Sequence, residues 1–503
     1  MAQKPRWRLG TIVLRKLMRN WRDVFFFATL LLFVAEAAWL AFHAAFPMAF
    51  DEGYHVGLIR FFSHHLNPII TSQDPSTYSF GNIVHNSSWL YHWLLSFPDR
   101  VLALTHSEYI EVVGLRCINI GMAVGSLLIL HRLLRHLRLG YGMRTFVMLL
   151  VAFTPVFTAL AAQVNYDNLV VLLTLAATYY LLFFIREIGV GKPSIKTFAK
   201  LLNIVLLGTL VKFSFLPVLA AVLLIITYVW SRQKNTNKST GELLARDFSR
   251  QRAHTKYIIV VMTFISVGLF ATYYGQNLVR YRSLTPTCDQ VLTVEACGNY
   301  YAWARNNQLA QNFDASTVLQ DPISYTYHWG VTSWYHLYAE IIPTGGIAHI
   351  AIGFYAFLLV TTFFAGITTL VHIRQLIRRY PLLVPLLWLC GIYVGGLWLR
   401  NYHDYRQLGE AVAVQGRYLV PILGFYYLLL TLGVHESFRK TKALDKRTGQ
   451  RLELLVATMV VVAFVWFGGV VRYVSEVLPE HQWLPPSKIK EPEVAVTPPT
   501  NRV

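Results

Sequence analysis

Apolar residues dominate long unbroken runs of this chain, and polar residues gather between them. The runs occupy 24–46, 110–130, 146–162, 169–185, 201–230, 257–274, 347–372, 382–399, 417–434 and 452–471. A helix needs roughly 20 mostly apolar residues to cross the hydrocarbon core, so each run predicts a membrane span. The run at 201–230 is too long for one ordinary crossing. Its flanks are basic on both sides, with Arg186, Lys192, Lys196 and Lys200 before it and Arg232, Lys234, Lys238, Arg246, Arg250, Arg252 and Lys256 after it. Basic loops stay cytoplasmic, so both ends face the same side and the run predicts a short hairpin. Lys212 falls near its outer turn and Pro217 early in the returning half. The expected fold is all-α, a polytopic transmembrane bundle of about eleven crossings with two large extracytoplasmic loops that contain interfacial helices.

Those loops are 47–109 and 275–346. The first holds apolar stretches at 56–62 and 89–97, too short to cross and suited to lie in the interface. The second is rich in aromatics (Tyr300, Tyr301, Trp303, Tyr325, Tyr327, Trp329, Trp334, Tyr335 and Tyr338) that favour headgroup depth and can also stack on sugar. The chain divides into a basic cytoplasmic N-terminus (1–23), a transmembrane module carrying the first loop (24–274), the second loop (275–346), C-terminal helices (347–474) and an extracytoplasmic tail (475–503). The tail is flexible from 485 on, being rich in Pro, Glu and Thr. Asn86 begins a glycosylation sequon, informative only with a known host.

Composition agrees with a membrane protein: 55% of the 503 residues are hydrophobic, 14% are charged, and the mean hydropathy is +0.43. The formal net charge of +19 would suit a nucleic-acid partner if it were concentrated on one surface. Instead the lysines and arginines occupy alternate loops, beginning with Lys4, Arg6, Arg8, Arg15, Lys16, Arg19 and Arg22 against Asp23. The positive-inside rule accounts for the surplus, places the N-terminus in the cytoplasm of a multi-pass cell-membrane protein, and leaves no reason to invoke nucleic acid. The first apolar run is longer than a signal-peptide core. Cys288 and Cys297 lie close together in the second outer loop, where a disulfide is expected.

Candidate chemistry collects on the outer side. Asp51, Glu52 and His55 (DEGYH) follow the first span directly; a carboxylate there can take a proton from an acceptor hydroxyl, or a divalent metal ion can sit on Asp51 and Glu52. Asp167 lies in the short turn QVNYDN (163–168), where helix capping is the competing role. Lys212, Arg400, Arg406 and Arg417 are the cations on this side, and Arg417 and Lys212 suit a lipid-linked phosphate. Arg116 and Glu36, inside the second and first spans, suggest a structural ion pair.

These motifs together resemble the polytopic C-type glycosyltransferases, the superfamily of protein O-mannosyltransferases and lipid A aminoarabinose transferases. Asp51 and Glu52 resemble the acidic pair that opens the superfamily's first outer loop. Asp167 matches its acid between the third and fourth spans, LVKFSFLP (210–217) its lysine-containing hairpin, and QGRYLVP (415–421), with Arg417 and Tyr418, its Arg-Tyr motif. An uncharacterised family of polytopic proteins is closer still, having the acidic pair with His, the N-x-D turn and Q-G-R-Y in the same order. The first loop departs from the superfamily: SSWLYHWL (87–94) stands where a Lys-Pro-Pro-Leu-type segment is found.

The resemblance implies a sugar donor on a polyprenyl phosphate, presented from the membrane, and an extracytoplasmic acceptor that is a lipid, glycan or protein. Asp51, Glu52 and Asp167 are then the catalytic candidates, and Arg417, Lys212, Arg400 and Arg406 the candidates for the donor phosphate. The cytoplasmic loops are short and basic, which disfavours a nucleotide-sugar donor held there. Two other classes stay open at this level, a transporter or flippase of lipid-linked glycans and a non-catalytic envelope scaffold.

Overall fold

The computed structural model describes residues 7–48, 51–65, 67–68, 75–83, 88–232, 239–313, 321–339, 352–440 and 446–467. The sequon asparagine Asn86 and the tail at 475–503 lie outside them. All the described elements are helices. They run α1 (Trp7–His43), α2 (Glu52–His64), α3 (Leu90–Leu102), α4 (Glu108–His136), α5 (Tyr141–Ala152), α6 (Pro155–Ala161), α7 (Asp167–Gly189), α8 (Ile195–Val211) and α9 (Leu216–Ser231). Then come α10 (Thr240–Arg250), α11 (Ala253–Tyr281), α12 (Cys288–Val291), α13 (Val294–Gly298), α14 (Tyr301–Asn312), α15 (Pro322–Ala339), α16 (Ile352–Arg379), α17 (Leu383–Leu408), α18 (Val420–Lys440) and α19 (Lys446–Phe467).

Among the described residues, eight helices are long and apolar enough to cross a membrane, or nine with α5 and α6 counted as one bent span. This is a multi-pass membrane protein. The expected count of eleven also needs α8, of 17 residues, and α19. α7 is central, packed by α4, α8 and α18, whereas α11 lies at the periphery and turns most of its apolar surface outward.

Two departures from straight helices matter for the site. The run expected as one span at 146–162 is two helices bent by 67°. Pro155 has no amide hydrogen to continue the ladder of α5. Thr158 Oγ1 donates to the carbonyl of Ala152 at 3.0 Å, and Thr154 Oγ1 to that of Leu150 at 2.6 Å, so hydroxyls satisfy carbonyls at the break. The run at 201–230 does break at Lys212, between α8 and a 3-10 turn at Phe213–Phe215 that opens α9.

The apolar stretches of the first loop become α2 and α3, packed on each other. In the second loop a disulfide joins Cys288 and Cys297 and packs with Tyr300 against Tyr78 and Ile83 of the first. Thr77 and Tyr300 share a hydroxyl hydrogen bond of 3.0 Å, and Ala302 N–H donates to the carbonyl of Gly81 at 2.9 Å. The aromatics of this loop divide in a way composition did not reveal. Tyr300, Tyr325, Trp329 and Tyr338 are buried within the protein, while Tyr301 and Tyr327 are exposed.

Candidate functional site

The site is assembled around the end of α1, where two acidic residues adjacent in sequence take opposite environments. Glu52, the first residue of α2, is fully buried and meets Arg116 of α4, also fully buried. Its carboxylate accepts from Arg116 Nε at 2.8 Å and from a terminal guanidinium nitrogen at 2.7 Å. It also accepts from the backbone N–H of Met48 at 2.7 Å and of Val164 at 2.9 Å. The remaining guanidinium hydrogens go to the carbonyls of Ala41, Ala44 and Ala45. A carboxylate offers about four acceptor positions and a guanidinium five donors, so both groups are saturated. Arg116 therefore pairs with Glu52 rather than with Glu36. The clamp ties the end of α1, the start of α2, α4 and the turn before α7 into one unit.

Saturation also bears on metal binding. With its acceptor positions filled by N–H donors, Glu52 has nothing left to offer a cation, and the pair Asp51–Glu52 does not fit a divalent ion in this arrangement. Among the described residues, no group of three or more His, Cys, Asp or Glu side chains converges elsewhere.

Asp51 is different. It is the N-cap of α2, yet its side chain caps nothing, and its backbone takes the left-handed conformation with φ 64° and ψ 28°. Asp tolerates that region better than most residues, but it is still disfavoured for an L-residue. The carboxylate reaches Arg417 instead, accepting from its guanidinium at 2.9 Å while staying 60% exposed. An off-pattern backbone that releases a carboxylate from capping and aims it at a buried cation is the kind of strain found at functional sites.

Arg417 is buried, and its Nε lies 4.0 Å from the second oxygen of Asp167. The first oxygen of Asp167 accepts from Lys212 Nζ at 2.6 Å. The four charges form a chain, Asp51, Arg417, Asp167, Lys212, whose formal sum is zero and whose exposed member is Asp51. Lys212 sits between the rings of Tyr166 and Tyr418, 4.3 and 4.4 Å from their centroids, and Arg417 lies 5.2 Å from that of Tyr418. Such cation–π contacts strengthen when the cation is out of water.

Local structure explains each placement. The break between α8 and α9 leaves Lys212 extended at the bend, with its side chain free to turn inward. Asn165 Oδ1 accepts from the backbone N–H of Asp167 at 2.9 Å, a bond local to this turn, while the side chain of Asp167 goes to the ion pairs and caps nothing. Gly416 packs on the backbone of His336 and Leu337 in α15, where a Cβ would fall inside both residues, and this close approach sets Arg417 against α15.

Beside the cluster, His55 Nδ1 and His92 Nε2 lie 2.9 Å apart, and His55 packs edge-on against Tyr166. Burial holds both imidazoles neutral. It takes His55 well below the ordinary histidine range, with further lowering from His92, Arg417 and Lys212, and takes His92 down to about 3.

The structure thus brings together Asp51, His55, Asp167, Lys212, Arg417 and Tyr418. Glu52 lies alongside as part of the clamp. Arg400 and Arg406 are on the exposed surface of α17 and outside the cluster; Arg400 pairs with Asp404 at 3.2 Å. Sequence reasoning missed Asn119, whose carbonyl oxygen accepts from Tyr91 at 2.9 Å and from Asn168 at 3.0 Å and so holds the turn carrying Asp167. Its signal was present: Arg116 and Asn119 are polar residues three apart inside an apolar span, on one helical face.

No protein-family model matches the chain, and no curated protein matches it in sequence. Among solved structures it is similar to the archaeal oligosaccharyltransferase AglB from Archaeoglobus fulgidus, seen tethered with an acceptor peptide and in complex with an inhibitory peptide and a dolichol-phosphate. Identity there is 12% and the TM-score 0.47, with 88% of this chain and 56% of that one covered. It is also similar to ArnT from Cupriavidus metallidurans in the apo state, at 12% identity and a TM-score of 0.35, with 84% and 80% covered. The chain spans a little over half the length of the oligosaccharyltransferase it matches.

Proposed function

We propose that this chain is a membrane glycosyltransferase that moves a sugar from a polyprenyl-phosphate-linked donor to an extracytoplasmic lipid, glycan or protein in cell-envelope glycan synthesis. One observation carries the reading: an exposed carboxylate, Asp51, is fixed 2.9 Å from a buried guanidinium, Arg417, where a chain of apolar helices ends. The positive-inside pattern of the loops supports an extracytoplasmic position for that end.

In the proposed reaction Asp51 takes the proton of an acceptor hydroxyl as its oxygen bonds to the anomeric carbon. The bond from that carbon to the phosphate oxygen breaks on the opposite face, so the configuration inverts, and the lipid phosphate leaves with the electron pair. Arg417 stabilises the departing charge with hydrogen bonds that strengthen as it develops. Asp167 and Lys212 act through Arg417: the carboxylate faces Nε, and the tyrosine-flanked ammonium holds that carboxylate. No step passes through a metal.

The test is transfer by the purified protein in liposomes supplied with a polyprenyl-phosphate sugar, alongside lipid analysis of cells lacking the protein. The reading expects transfer that depends on Asp51 and a lipid-linked sugar accumulating in the deleted strain. Movement of the lipid-linked glycan across the liposome without transfer would replace it with the flippase reading.

A further inference from the structure

The end of the bundle opposite Asp51 holds a second feature that the glycosyltransferase reading does not use. A cavity of about 1110 Å³ lies between α5, α16, α18 and α19. It follows α16 from Leu358 to Arg379, roughly 30 Å of helix, and α18 from Tyr427 to Phe438, roughly 16 Å. Its walls are overwhelmingly aliphatic and aromatic, and every charged residue that lines it stands at one end: Arg138, Arg379 and Glu453, with His435. Glu453 is engaged by His435 Nδ1 at 2.7 Å. The mouth is therefore left with two guanidinium groups. Arg138 is exposed and, among the described residues, has no carboxylate partner, and Arg379 is partly exposed and only loosely paired with Glu436, at 3.4 Å.

The far end is stopped by interlocked rings. The hydroxyls of Tyr338 and Tyr427 are 3.2 Å apart, Tyr427 also reaches Thr154 at 2.7 Å, and Phe464 meets both tyrosine rings edge-on. The groove is thus apolar, closed by rings at its far end and cationic at its mouth. An acyl chain about half as long as the roughly 30 Å hydrocarbon core fits within the length of this groove. A much longer isoprenoid chain would meet the ring cluster before its headgroup reached the arginines.

We infer that this groove binds one acidic glycerophospholipid, with an acyl chain between α16 and α19 and its phosphate at Arg138 and Arg379. The lipid fills a gap that side chains leave open and joins α19, which packs along α5 and α18, to α16. Guanidinium groups at the mouth select an anionic headgroup over a zwitterionic one by charge-assisted hydrogen bonds.

The test is native mass spectrometry of the full chain in detergent, titrated with phosphatidylglycerol or phosphatidylcholine. One phosphatidylglycerol is expected to be retained at least tenfold more strongly than phosphatidylcholine. Arg138→Asn, which keeps the left-handed backbone at that position (φ 60°) accessible, combined with Arg379→Gln should erase that preference. Ala457→Trp, which projects an indole into the groove, should remove retention of both lipids while the protein stays monodisperse and helical by circular dichroism. Equal retention of the two lipids, retention unchanged by Ala457→Trp, or stronger occupancy by a polyprenyl phosphate would each overturn the inference.

Discussion

Asp51 and Glu52 are adjacent in sequence and each meets an arginine from a distant helix, yet the two pairs serve opposite ends. Glu52 and Arg116 have every donor and acceptor position filled and no exposure, so nothing can enter without breaking the clamp. Asp51 makes one ion pair, stays open to solvent and borrows a cation shared with Asp167. A saturated buried pair is inert, because removing either partner strands a charge. An unsaturated pair at a boundary keeps a lone pair for chemistry, and the saturated neighbour gives it a rigid platform.

The comparison breaks first at Asp51. Asp51→Asn should lower transfer by about 10² to 10⁴, the usual cost of losing a general base, with little change in melting temperature because the residue is exposed. Near-normal turnover in liposomes would return Asp51 to a structural role and leave the chemistry to His55 or Asp167. Arg116→Met should do the reverse. Stranding Glu52 in the interior costs about 3 to 5 kcal/mol, visible as a sharp loss of thermal stability and of folded protein in detergent. A variant that melts like the parent would mean that Glu52 is not held by this clamp.

Arg417 tests the shared cation. Each charged hydrogen bond is worth about 1.5 to 3 kcal/mol, so Arg417→Ala should weaken donor use tenfold to a hundredfold or more. Arg417→Lys should fall between, since an ammonium lacks the bidentate fork. Donor saturation curves that coincide for all three proteins would make Arg417 a helix anchor.

The smallest effect expected is on the pH dependence of stability. His55 and His92 are neutral in the folded protein, whereas the unfolded chain binds their protons below about pH 6.5. Their contribution is complete above that pH and is lost as the pH falls from about 6.5 towards 3, because the unfolded state then holds more protons. Melting temperatures between pH 7.5 and 5 should fall less steeply when both histidines are replaced by glutamine; parallel slopes would refute the assignment.

Much of this was legible in sequence, for identifiable reasons. Hydropathy located the helices, and flanking charge found the break at Lys212, because lipid imposes length and sidedness on every span. Asp51, Asp167 and Arg417 stood out as ionisable residues at the ends of apolar runs, and Lys212 as the one inside the run at 201–230. What stayed hidden was partnership. Glu36 lies in a span and Glu52 does not, so spacing alone favoured the wrong acid for Arg116; only the carbonyls of Ala41, Ala44 and Ala45, at and just beyond the end of α1, show why the guanidinium points towards Glu52. Pro155 gave a signal for the bend between α5 and α6, but an uninterrupted apolar run outweighed it. The neutral histidine pair joins residues 37 apart, a separation for which no periodicity exists.

The clamp has a consequence for biogenesis. Glu52 and Arg116 are 64 residues apart, and the residues that share the hydrogen bonds described for them lie between Ala41 and Val164, so these bonds can close once the first third of the chain has been made. An arginine threaded alone into lipid costs about 2.5 to 3.5 kcal/mol by insertion scales, which early closure relieves. Asp51 must wait for Arg417, 366 residues downstream, and therefore for the bundle to be nearly whole. The inert half of the acidic pair is a scaffold set during synthesis, and the open half is completed only when α18 docks, so a truncated or misinserted chain can be well folded at its N-terminus and still have no site.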